Sequence, residues 1–167
     1  LQDKFSYTVI DATFYTVRVL ILMGVATFIV KFFIIRRISP TPGSLLRIGS
    51  VFSILSLFAF IFSSNLYYMS LALAVYGIGG ALMGPGLFTG VSLAVGKDEQ
   101  GAAAGILVSA YAAGFVINPL TGMKLFDWNP DFPYFLGIIL MIFCLIISIL
   151  DKRLNIKVDF DEDIGHS

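Results

Sequence analysis

One cysteine, Cys144, and one histidine, His166, stand among the 167 residues, and each scarcity removes a class of chemistry. A lone thiol closes no internal disulfide and carries no information about compartment. One thiol in an apolar run and one imidazole in the tail make no ligand cluster, so neither a metal nor a cofactor is expected. Charged residues are only 13% of the chain, and Asp and Glu fall in short links, at the ends of apolar segments or in the tail. An enzyme needs a nucleophile and a base, or paired acids, held together at a cleft, and none are placed to do so here. Eleven basic and eleven acidic residues cancel to a net charge of zero, which gives no footprint for nucleic acid.

What the chain has instead is apolarity: 57% of its residues are hydrophobic and the mean hydropathy is +0.90, outside the range of a globular domain. A helix needs about 20 mostly apolar residues to cross a bilayer, and five segments qualify, at about 13–35, 46–63, 66–95, 100–125 and 132–150. The expected fold is all-α: a polytopic integral membrane protein of five transmembrane helices. Residues 1–12 form an extracytoplasmic loop, 13–154 the transmembrane domain and 155–167 an acidic, solvated tail. Arg18 and Lys31 interrupt the first stretch, which also lacks a small-residue cleavage site, so it reads as a span and not as a signal peptide.

Lys and Arg accumulate on the cytoplasmic side of membrane proteins. With five spans, one side receives Arg36, Arg37, Arg47, Lys97, Lys152, Arg153 and Lys157, and the other only Lys4 and Lys124. The chain therefore starts outside and ends inside, with Lys97 in a cytoplasmic turn and Trp128 at the outer interface.

Between Tyr76 and Gly122, two apolar segments rich in glycine and proline flank a short charged turn, Gly96-Lys97-Asp98-Glu99-Gln100-Gly101. Small residues let membrane helices approach closely. Gly80 and Gly84 are four apart, as are Gly86 and Gly90, Gly101 and Gly105, and the small pair Ala110 and Gly114. Pro85 and Pro119 each remove a backbone hydrogen bond inside an apolar run. Gly80, Gly84, Pro85, Gly86, Gly114 and Pro119 are accordingly expected to form gate bends between moving helices.

The run Gly77-Ile78-Gly79-Gly80-Ala81-Leu82-Met83-Gly84-Pro85, the turn Gly96 to Gly101, and Gly114-Phe115-Val116-Ile117-Asn118-Pro119-Leu120-Thr121-Gly122 together resemble helices ten and eleven of the major facilitator superfamily, in its drug:proton antiporter branch. Asn118 stands where that family usually has a glycine before the proline, and Met123 replaces a second glycine after it. The five spans would then be helices eight to twelve. Arg36, Arg37 and Arg47 resemble part of the family's cytoplasmic latch signature, but no acid accompanies them, so an Asp-based latch is not carried over. The resemblance implies a secondary active transporter, a proton-coupled efflux permease exporting small organic compounds from a bacterial cell. It also implies a missing N-terminal transmembrane half as partner, the chain being a fragment of a longer protein. The alternative is a non-transporting membrane partner, or a half-transporter subunit that assembles with another chain.

Charged groups at membrane depth are costly and mark pathways or partners. Lys31 lies about one turn from the inner end of its span and is expected to snorkel to headgroups. Arg18 lies seven residues from Asp11, about 10 Å along a helix, and is expected either to snorkel beside it or to face the solute pathway, where it would suit an anionic metabolite or siderophore. Tyr111 and Asn118 offer neutral hydrogen bonds to a substrate. No carboxylate sits in an apolar core, so the proton carrier is expected in the absent half. The partners are thus the lipid bilayer, a small-molecule substrate and protons.

Overall fold

The computed structural model describes residues 9–35, 40–63 and 65–155; the expectations for Arg36, Arg37, the N-terminal loop up to residue 8 and the tail from residue 156 lie outside them. Every described element is a helix. α1 (Val9–Ile29) widens at its end into a π-helical stretch, Val30–Ile35. α2 (Pro42–Ile61), α3 (Leu66–Ala94), α4 (Gln100–Trp128) and α5 (Phe132–Leu150) follow, with 3₁₀ turns at Lys97–Glu99 and Lys152–Asn155. Among the described residues four helices, α2 to α5, are long and apolar enough to cross a membrane. The chain is an all-α, polytopic membrane protein.

Local chemistry sets the helix ends. The Thr41 hydroxyl accepts the Ser44 N–H at 3.3 Å and Pro42 occupies the first turn, where a missing N–H costs nothing. α2 therefore starts about one turn before the apolar run that identifies it. Asn65 caps α3 by accepting the Tyr67 N–H at 3.0 Å, and Asn129 accepts the Asp131 N–H at 2.8 Å in the turn before α5. Pro85 and Pro119 both lie inside their helices, and α3 and α4 each run on through them for a full 29 residues. Each proline withdraws one N–H from the ladder. Beside Pro119, the Thr121 hydroxyl donates to the Ile117 carbonyl at 2.8 Å.

The closest packing joins α2 and α3, and it is built from small residues. A Cβ placed on Gly49 would stand 2.8 Å from the Gly79 carbonyl and 2.5 Å from Met83 Cγ; one on Gly79 would press on Ser53 Oγ and stand 2.8 Å from the Gly49 carbonyl. Only hydrogen fits between these backbones. Along the same strip Ser53 and Ser56 are buried, and Ser56 Oγ donates to the Ala72 carbonyl at 2.5 Å. An interhelical hydrogen bond of this kind in a membrane contributes on average about 0.6 kcal/mol. Close backbone packing is thus the larger part of what holds the pair.

α5 lies on the far side of α2. Phe60 and Tyr134 meet with ring centroids 4.6 Å apart, and Leu57 fills the space beside Gly137. α1 lies on α3, where Met23 and Thr27 close over Gly77 and Thr27 Oγ1 donates to the Gly77 carbonyl at 3.2 Å. α4 touches α3 and α5 only lightly and has no buried residue.

Candidate functional site

The residues expected to meet substrate fall in two separate clefts. The first, about 350 Å³, opens between α1 and the start of α3 and is lined by Tyr15, Arg18, Val19, Leu22, Asn65, Tyr67 and Ser70. Arg18 is exposed, and its guanidinium carbon lies 5.8 Å from the centre of the Tyr15 ring, close enough for a cation–π attraction. The cleft sits at the Trp128 end of the bundle, since α1 and α3 both begin there.

The second cleft, about 450 Å³, lies between α3 and α4 and is lined by Leu87, Leu107, Ala110, Tyr111, Gly114, Phe115 and Asn118. It brings Tyr111, Gly114 and Asn118 together at i, i+3 and i+7, one face of α4. Phe88 stacks on Tyr111 with centroids 6.1 Å apart and ring planes 10° apart. Two other hydroxyls of α4 turn inward on their own helix, Ser109 Oγ to the Gly105 carbonyl at 2.8 Å and Thr121 to Ile117. Tyr111 and Asn118 are the polar side chains that α4 presents to the cleft.

The glycines and prolines divide by face. Nothing lies within 4 Å of a Cβ built on Gly80, Gly84 or Gly114. Gly86 and Gly90 are enclosed instead, Gly86 by Pro42, Leu45 and Leu46 of α2, and Gly90 by Leu154 at 2.9 Å. Pro85 is half-buried and Pro119 is exposed. Of the loop charges, Lys97 is exposed at the turn before α4, where Gln100 Nε2 donates to the Ser92 carbonyl at 3.3 Å. Lys31 is exposed in the π-helical end of α1.

Sequence reasoning misses two features. Arg47 belongs to α2, and its Nε and Nη2 donate to the Ser148 carbonyl at 3.1 and 2.7 Å. The last carbonyls of a helix have no partner within it and carry partial negative charge, so the fork of Arg47 closes the end of α5. The second is the Gly49–Gly79 crossing. Its signal is visible as the spacing of Gly49, Ser53 and Ser56, but period-four pairs on α3 compete with it.

Two clefts on apolar helices, one beside a cation and one holding a tyrosine and an asparagine, suit a molecule that carries solutes through a bilayer. The model of the Major Facilitator Superfamily matches residues 1–159. No curated protein and no solved structure matches the chain at a significant level. The match spans nearly the whole sequence, and the chain belongs to the Major Facilitator Superfamily of membrane transporters.

Proposed function

We propose that the chain forms helices eight to twelve of a proton-coupled efflux permease of the drug:proton antiporter branch, exporting small organic compounds from a bacterial cell with its C-terminus in the cytoplasm. The observation that carries this reading is α4: a spanning helix without a buried residue that presents Tyr111 and Asn118 to a 450 Å³ cleft. Polar groups on an unpacked spanning helix call for a second bundle or an aqueous path opposite them. Transporters of this architecture bind substrate near the midplane between two such bundles. Leu87, Leu107 and Phe115 give the cleft an apolar wall for an amphipathic compound, and Tyr111 and Asn118 supply neutral hydrogen bonds. Arg18 would meet an anionic group at the other cleft. No described span places a carboxylate in its apolar core, so the proton carrier belongs to the N-terminal half.

The test uses inverted vesicles holding the complete transporter. An acid interior should drive accumulation of a fluorescent amphipathic dye, and Tyr111→Phe, which keeps the stack on Phe88, and Asn118→Ala should each slow it several-fold without altering thermal stability. Accumulation that persists when a protonophore collapses the gradient would remove proton coupling. A purified protein that moves no solute but retains a second chain would replace export with the partner-subunit reading. Orientation is checked separately: Asp98→Cys and Asn129→Cys, each in a Cys144→Ser background, should react from opposite sides of the membrane.

A further inference from the structure

At the Lys97 end of the bundle α3 and α5 both lean on α2 and part from each other, leaving an open-sided groove of about 360 Å³. Gly86, Gly90 and Ala94 form its floor along α3; Cys144, Ile147 and Ser148 form the α5 wall, and no residue of α4 lines it. From Gly86 to Ala94 a helix rises about 12 Å, close to the roughly 15 Å depth of one leaflet's hydrocarbon. The groove is apolar along its length and charged only at its mouth, where Asp151 and Arg153 stand. The Asp151 carboxylate is turned into the local backbone and accepts the Arg153 N–H at 2.9 Å. The Arg153 side chain is exposed, and the Arg47 guanidinium donates to the carbonyl of Ser148, a residue of the groove wall. Two guanidinium groups against one engaged carboxylate leave the mouth cationic.

We propose that this groove holds a membrane phospholipid, one acyl chain lying between α3 and α5 and the phosphate diester on Arg153 with support from Arg47. The depth of the groove matches a single leaflet, and the cations stand at the level where phosphates of that leaflet sit. A guanidinium binds a phosphate through charge-assisted, forked hydrogen bonds, while the chain gains burial in proportion to the methylenes covered. Leu154, next in sequence to Arg153, packs on Gly90 of the floor and ties the chain after α5 to α3.

Cys144 lines the groove and serves as a built-in reporter. In the detergent-purified full-length protein with Cys144 as its sole cysteine, alkylation by a bulky maleimide should slow several-fold when a phosphatidylglycerol is added. A diacylglycerol with the same chains, lacking the phosphate, should protect far less. Arg153→Ala should leave the alkylation rate without lipid unchanged and abolish the difference between the two lipids, whereas Lys124→Ala, at the opposite end of the bundle, should change neither. Native mass spectrometry provides a second reading: phosphatidylglycerol adducts should diminish in Arg153→Ala relative to the parent. Equal protection by both lipids would reduce the groove to a non-specific apolar surface. A Cys144 that is unreactive even in lipid-free protein would mean that another protein segment fills the space. Either result overturns the assignment.

Discussion

α3 and α4 are equally long, and each carries one interior proline and several glycines, yet 44% of the α3 span is buried and none of the α4 span. Composition therefore does not decide which membrane helix packs. In water a helix as apolar as α4 could not stay uncovered, but lipid is itself an apolar solvent and supplies no hydrophobic penalty for exposure. Association then depends on shape. α3 meets α2 through Gly49 and Gly79, where two backbones come together, and α4 offers no comparable contact to its own bundle. The α2–α3 pair is the packed frame, and α4, which carries Tyr111 and Asn118, is left uncovered by the described residues.

The sharpest way to break this comparison uses two adjacent glycines of α3. Gly79 is buried against Ser53 and the Gly49 carbonyl, and Gly80 has nothing within 4 Å. Overpacking a close interface costs about 1–3 kcal/mol, whereas alanine for glycine on an open helix face gains up to about 1 kcal/mol. Gly79→Ala should therefore lower the midpoint of thermal unfolding in detergent, and Gly80→Ala should raise it or leave it level. If Gly80→Ala holds stability but cuts transport by the complete protein, the open face is covered during the cycle, as a gate would require. Loss of stability in both variants would show that Gly80 is packed as tightly as its neighbour and would end the division into frame and free surface.

A smaller effect is expected where the frame is joined by charge. Arg47 donates two hydrogen bonds to the Ser148 carbonyl, and bonds from a charged donor contribute about 1.5–3 kcal/mol. Arg47→Ala should destabilise the α2–α5 contact by about 2 kcal/mol. Arg47→Lys should recover part of this, since an ammonium keeps the charge but cannot reproduce the fork. Urea titration of the purified protein reads both. An Arg47→Ala protein of parental stability would assign the guanidinium wholly to headgroups.

Hydropathy makes the helices legible because a bilayer demands long apolar runs, and all five described helices coincide with such runs to within about one turn. The discrepancy at Pro42 comes from Thr41, a cap that acts through one hydroxyl and leaves no trace in hydropathy. Interfaces are less legible. Pairs of small residues four apart occur on more than one face of α3, and spacing alone does not say which face meets a neighbour: Gly80 and Gly84 open to space while Gly79 carries the crossing. Arg47 reads as a loop charge beside Arg36 and Arg37, because its partner is a carbonyl 101 positions away. The candidate site is legible only as residue types. Tyr111 and Asn118 share a face by helical period, but the separation of Arg18 from them follows from α1 packing on α3, which no local pattern announces.

That separation frames the last and smallest expected effect. Arg18 lies in its own cleft with Tyr15, Asn65, Tyr67 and Ser70, apart from the Tyr111 cleft, so it should influence which solutes enter more than whether transport occurs. A guanidinium at a cleft attracts the negative part of a solute through charge-assisted hydrogen bonds. In the complete transporter, Arg18→Ala should weaken export of an anionic solute more than that of a cationic one, and Arg18→Lys should restore part of the loss because the charge returns without the planar fork. An arginine that serves only headgroups at the Trp128 end predicts something different: both substitutions would leave the ratio of the two solutes unchanged and at most reduce protein levels. Expression-corrected export of one anion and one cation from the same vesicles distinguishes the two. Equal losses for both solutes would remove Arg18 from the pathway and leave Tyr111 and Asn118 on α4 as the remaining polar candidates for contact with substrate.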